Sequence, residues 1–289
     1  MKICWITGAD AGWMSPVVDY MNSNGHDVVL NEGDESFDIL FGATIGAQQK
    51  ITELHLKYPN VAMINYNWDV YEWAYKNWPS SIFPYDLKNY HALLSRSVSV
   101  LCPSMSVVYR NEEFFDIPIE KSKVVKSFAR QLEIDSKQVR DDRFVYMPLR
   151  QIPDRNLGWF ERAVKELNIP FLLTDKKLSE EDYADKIASC SFLVCPWFEA
   201  STGGLSLLEG YAVGKSVLVS DSKYMGAVDY LGDRANYFKH DSYEDFKTSI
   251  GRLWSNTPTL NLDDCKEFSE EFKPEVMANS LVKAFEEAL

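Results

Sequence analysis

Apolar and polar positions alternate along this chain in short blocks, and the blocks predict a regular succession of strands and helices. Lys2-Ile-Cys-Trp-Ile-Thr7 is an apolar run of strand length, and the glycine loop Gly8-Ala-Asp-Ala-Gly12 follows it. A helix then runs to Asn24, Gly25 supplies its left-handed cap, and Asp27-Val-Val-Leu30 reads as a second strand. This βαβ unit implies a parallel sheet with a right-handed crossover. Further strands are expected at Ile39–Phe41, Val61–Asn65, Val98–Cys102 and Lys123–Lys126, with helices at about 45–57, 86–96 and 105–115. The pattern restarts with a strand at Phe144–Met147, a helix at about 156–167, a strand at Phe171–Thr174 and a helix at about 179–189. Near the end, Val276, Met277, Leu281, Val282, Phe285 and Leu289 form a stripe at helical spacing. The polar segment Gln131–Arg143 separates the two halves, so the fold class is α/β with two domains, 1–135 and 140–270, and a terminal helix over 271–289.

Composition narrows the function classes. The chain has 289 residues, enough for two domains of roughly 130 to 150 residues each. A formal charge of −13 argues against nucleic acid as a partner, because a polyanion is repelled before contact. The five cysteines sit mostly in apolar, strand-like settings without a Cys-x-x-Cys pair, which reads as buried free thiols rather than a metal site. No apolar run reaches membrane-spanning length and the first residues lack a signal-peptide profile, so the expected location is cytoplasmic.

The most informative stretch is Phe192–Ser220. Phe192-Leu-Val-Cys195 is a buried strand ended by Pro196, Gly203 and Gly204 open a helix that Gly214 closes, and Ser216–Ser220 is a strand again. In an α/β sheet this arrangement places helix-terminal N–H groups at the carboxyl edge of a strand, where the helix dipole favours an anion such as phosphate. Two acids flank it, Glu199 in the loop and Glu209 in the helix. The spacing suggests a ligand that carries phosphate at one end and hydroxyls elsewhere.

This stretch resembles the carboxyl-terminal signature of GT-B glycosyltransferases, specifically the retaining family 4. Leu207-Leu208-Glu209-Gly210-Tyr211-Ala212-Val213-Gly214-Lys215-Ser216-Val217 carries the likeness. The family spaces its two acids more closely than the ten residues separating Glu199 from Glu209, and Ser201 stands at the family's first-acid position. Either Glu199 or Ser201 therefore fills that role. Gly25-His26-Asp27-Val28 matches the end of the family's first βαβ unit, with His26 a turn residue.

The resemblance implies two Rossmann-like, doubly wound parallel-sheet domains facing a central cleft. It implies transfer of a sugar from a nucleoside-diphosphate sugar to a glycan or other hydroxyl acceptor, with retention and without a metal or other cofactor. Arg150 and Arg155 map onto the family's cation pair and, with Glu199, form the catalytic set. Gly12, Ser201, Thr202, Gly203, Gly204, Leu205 and Glu209 form the nucleotide side, with Glu209 as a solvent-facing acceptor for ribose hydroxyls. Trp68 and Asp69 stand on the acceptor side, where the family has a His-Asp pair. The surrounding aromatics Tyr66, Tyr71, Trp73, Tyr75 and Trp78 read either as a sugar-stacking platform or as a helix packed on the core. Two alternatives stay open: a nucleotide-sugar epimerase of the same fold, and a catalytically inactive nucleotide-sugar-binding relative.

Overall fold

The computed structural model describes residues 1–8, 14–32, 36–68, 85–132, 134, 138–148, 156–174, 178–196 and 204–289. The chain divides into two units, one formed by Met1–Phe128 with Pro274–Leu289 and the other by Ala129–Lys273.

In the first unit the described strands are β1 (Lys2–Ile6), β2 (Asp27–Leu30), β3 (Ile39–Gly42), β4 (Ala62–Tyr66), β5 (Ser99–Cys102) and β6 (Ser122–Val124). They form one parallel sheet in the order β2-β1-β3-β4-β5-β6. Strands β3 and β5 are buried at every position, as expected of a sheet with both faces covered. Helices α1 (Ser15–Ser23), α2 (Gln48–Lys57), α3 (Leu87–Arg96) and α4 (Met105–Phe115) lie between the strands, matching the expected helical spans closely. Asp86 caps α3 by accepting from Asn89 N at 3.1 Å, which fixes where that helix starts.

The second unit contains β7 (Val145–Met147), β8 (Phe171–Leu173), β9 (Phe192–Cys195), β10 (Ser216–Ser220) and β11 (Asn236–Phe238), parallel in the order β11-β10-β9-β7-β8. Its described helices are α5 (Leu157–Glu166), α6 (Glu180–Ser189), α7 (Leu205–Ala212), α8 (Gly226–Leu231), α9 (Tyr243–Ser255) and α10 (Leu262–Glu270). Strand β11 and helices α8 to α10 are elements for which the sequence pattern set no expectation. β9 and β10 are fully buried and form the centre of a core with Phe160, Ile187, Leu207, Phe246 and Phe268.

The last helix, α11 (Pro274–Glu286), belongs to the first unit, where it packs on α1. Met277, Ala278, Leu281 and Phe285 join Val17, Val18 and Met21 in that unit's core, and the Phe285 ring meets Phe41 at 5.0 Å. The apolar stripe expected there is corrected at both ends: Val276 is 41% exposed and Leu289 69% exposed. The helix buries only the arc that faces α1 and the sheet; Val276 falls outside that arc, and Leu289 lies beyond the last helical residue, Glu286.

Candidate donor site in the second unit

The candidate site is built on the β9–α7–β10 connection. Pro196 ends β9, and residues 197–203 lie outside the described residues. α7 then opens at Gly204, whose φ of +122° is a backbone setting that a side chain resists. A Cβ at Gly204 would also stand 3.0 Å from the Ala227 Cβ. The Gly204 carbonyl accepts from Leu207 N at 2.7 Å and Leu208 N at 2.9 Å, so the helix is wound from its first turn. The N–H groups of an opening turn have no carbonyl ahead of them in the helix, which suits them to an anion. Gly210 lets the helix approach β9: a Cβ there would sit 2.6 Å from Leu193 Cδ1. After the helix, the buried Lys215 donates its ammonium to the carbonyls of Arg140 at 2.6 Å and Cys190 at 2.7 Å, and burial lowers its pKa. That lysine ties the start of β10 to the loop before β7.

Glu209 does not face solvent, which corrects the expectation drawn from the signature. It is 3% exposed and its carboxylate is already engaged. Oε1 accepts from Arg130 Nε at 3.0 Å and from Arg130 N at 3.3 Å, while Oε2 accepts from the Tyr183 hydroxyl. The Arg130 guanidinium carbon also lies 4.5 Å from the centre of the Tyr183 ring. Burial pushes the Glu209 carboxyl above its ordinary range, against the pull of Arg130. Burial likewise raises the Tyr183 phenol well above its usual value, and the Glu209 charge adds to it. Nearby, the Tyr146 hydroxyl shares a 2.8 Å hydrogen bond with Thr174, and burial pushes it up to about 12. Arg130 and Tyr183 are the residues that the motif reading missed. One signal pointed to partners: a glutamate in a helix buried on both sides must have them.

The structure places Gly204, Leu205 and Glu209 together on α7. Of the remaining candidates, Gly12, Asp69, Arg150, Arg155, Glu199, Ser201, Thr202 and Gly203 lie outside the described residues, as do Tyr71, Trp73, Tyr75 and Trp78. In the first unit, Trp68 packs against the core with its ring 4.7 Å from that of Tyr66. Tyr66 itself is 1% exposed and donates its hydroxyl to the Val125 carbonyl at 2.7 Å, so this ring is core and not a sugar platform. Asn67, the residue before Trp68, belongs to a buried polar chain. The Tyr90 hydroxyl donates to Asn67 Oδ1 at 3.0 Å, and Asn67 Nδ2 donates to Asn111 Oδ1 at 2.6 Å. All five cysteines are buried and free of disulfides. Among the described residues no three His, Cys, Asp or Glu side chains converge to hold a metal ion, and no helix is long and apolar enough to cross a membrane.

No protein-family model and no curated protein sequence matches this chain. Solved structures do match it along its whole length. Sucrose-phosphate synthase from Thermosynechococcus elongatus superposes with a TM-score of 0.74 at 11% identity, covering 99% of this chain and 98% of the other. A glycosyltransferase from Rickettsia africae gives 0.71 at 14% identity, with 99% and 98% covered. Anabaena HepE, solved in complex with UDP-glucose, gives 0.70 at 11% identity, with 99% and 100% covered. The chain has the GT-B fold. At these identities the likeness is one of architecture, which in this chain is a pair of all-parallel sheets flanked by helices.

Proposed function

We propose that this protein is a glycosyltransferase that moves a sugar from a nucleoside-diphosphate sugar to a hydroxyl acceptor, retaining the anomeric configuration and working without a metal. The observation that carries the reading is the whole-length structural likeness to glycosyltransferases, one of them holding UDP-glucose. The glycine-opened α7 at the end of β9 supports it, because a diphosphate suits the N–H groups of a helix start. In this reading Gly203, Gly204 and Leu205, with Arg150 and Arg155, take up the charge that grows as the diphosphate leaves. Glu209 reads the ribose and Glu199 or Ser201 holds the sugar. Gly12 lies on the nucleotide side, and Trp68 and Asp69 belong to the acceptor. No protein nucleophile is assigned. The acceptor hydroxyl attacks from the face the diphosphate departs from, and the departing phosphate oxygen takes its proton.

One observation favours a second reading, a nucleotide-sugar-binding relative that does not turn over. Glu209 is closed in by Arg130 and Tyr183, which leaves roughly one of its four acceptor positions for a ribose hydroxyl. A thermal-shift panel of UDP, GDP, ADP, their sugar conjugates and NAD, followed by a donor-hydrolysis assay, separates the readings. A selective shift with one nucleoside diphosphate and release of sugar from its conjugate supports the enzyme. The same shift without hydrolysis or transfer to any acceptor supports the binder, and no shift with any nucleotide overturns both.

A further inference from the structure

Arg130 is held in a way that a solvated surface arginine is not. Its Nε points into the buried Glu209 carboxylate at 3.0 Å, its own backbone N–H bonds the same oxygen at 3.3 Å, and its guanidinium carbon lies over the Tyr183 ring, 4.5 Å from its centre. Glu209 and Tyr183 are themselves 3% and 7% exposed, so the anchor is fixed by the core of the second unit. The Arg130 side chain is nevertheless 51% exposed. Among the described residues no group is bonded to Nη1 or Nη2. A guanidinium fastened by Nε and stacked on one face presents its two remaining nitrogens as a fixed fork, the arrangement suited to bidentate binding of a phosphoryl group.

Its position agrees with that use. The Glu209 side chain leans back toward the start of α7, as helical side chains do. Ser206, in the first turn of α7, is a hydrogen-bonding neighbour of the Tyr183 hydroxyl, so the whole cluster stands about one helical turn from the end that opens at Gly204. The Tyr183 and Glu209 anchor of Arg130 therefore lies within about one helical turn of the α7 N–H groups. Glu180, the other acid acting on Arg130, does so only at longer range.

We infer that Arg130 is a phosphoryl-binding residue, anchored by Glu209 and Tyr183 so that its outer guanidinium edge grips the diphosphate of the ligand. The inference rests on the proposed donor site only for the identity of that phosphoryl group. It also gives Glu209 a role beyond the ribose, as the anchor of a cation.

The test is binding of inorganic pyrophosphate, of UDP, GDP and ADP, and of the corresponding free nucleosides to the parent and to Arg130→Lys and Arg130→Gln, at several salt concentrations. Arg130→Lys keeps a positive charge beside Glu209 and preserves the fold while removing the fork; thermal melts of both variants establish that they are folded. The expected result is a loss on the order of 10- to 100-fold in pyrophosphate and nucleoside-diphosphate affinity, a shallower salt dependence, and unchanged nucleoside binding. Equal pyrophosphate affinity in parent and Arg130→Lys overturns the inference and leaves the donor-site reading standing. Arg130-dependent pyrophosphate binding with no nucleotide binding supports the inference and removes the donor-site reading. A parent that binds neither pyrophosphate nor any nucleoside diphosphate overturns both.

Discussion

Replacing Glu209 by alanine tests the buried cluster directly, and its magnitude follows from the three hydrogen bonds that the carboxylate accepts. Tyr183 is 7% exposed, so its hydroxyl loses its anionic acceptor in a place water reaches poorly and is left with Ser206, at a cost of about 1–3 kcal/mol. The carboxyethyl group leaves a void worth about 1 kcal/mol more. Arg130 is half exposed and can be rehydrated, so its lost ion pair adds less than about 1 kcal/mol. Relief of carboxylate burial offsets part of this sum, giving a net loss of about 2–3 kcal/mol. For a unit the size of Ala129–Lys273 that corresponds to a melting point lower by roughly 6–9 °C. Calorimetric or circular-dichroism melts of parent and Glu209→Ala measure it, and Glu209→Gln, which keeps an acceptor for Tyr183, is expected to lose about half as much. A Glu209→Ala protein that melts within about 1 °C of the parent would refute the account of Glu209 as a structural anchor.

Other outcomes follow from the same geometry. Because burial raises the Glu209 pKa in the folded state, its contribution is fully present below the unfolded value of 4.5 and is lost as pH rises through the folded pKa; the margin of parent over Glu209→Gln should therefore shrink from pH 4 upward, and a margin that widens contradicts the sign. Gly210→Ala drives a methyl into Leu193 and should cost about 1–3 kcal/mol, read as a lower denaturation midpoint at unchanged slope. Asn67→Ala removes its buried hydrogen bonds to Tyr90 and Asn111 and should destabilise the first unit by about 2–4 kcal/mol; a neutral result would mean that this polar chain is not needed. Phe285→Ala empties a fully buried ring site against Phe41 and should cost about 3–5 kcal/mol, measured by loss of amide protection in α1 and α11.

What was legible beforehand was local. Apolar runs bounded by glycine or proline announced β9, α7 and β10 because the signals for them lie within a few residues of each other: Pro196, Gly204 and Gly214. The absence of any expectation between β10 and α11 has an equally local cause. β11 is only Asn-Tyr-Phe, an edge strand with one neighbour, too short and too polar to show a period. The error at Glu209 is of another kind. Its partners Tyr183 and Arg130 stand 26 and 79 positions away, and no motif spacing reports a bond of that range. A signature fixed which residue would sit on α7, whereas the fold decided whether it met water. Tyr66 shows the same limit, since its place in an aromatic-rich run could not reveal that its hydroxyl is satisfied by Val125.

The passage of the chain through its two units has a consequence for synthesis. The second unit is inserted within the first: the chain enters it at Ala129, leaves at Lys273, and ties entry to exit through the bond from Ala129 N to the Phe272 carbonyl at 3.0 Å. A ribosome delivers the six strands of the first unit early but withholds α11, whose Phe285 and Leu281 complete that unit's core, until the second unit has been made. The first unit is thus begun before the second and finished after it, and while the second is made its α1 face stands uncovered. Joining Phe128 directly to Pro274 would remove that wait, and the excised segment 129–273, which holds its own core, should fold without it.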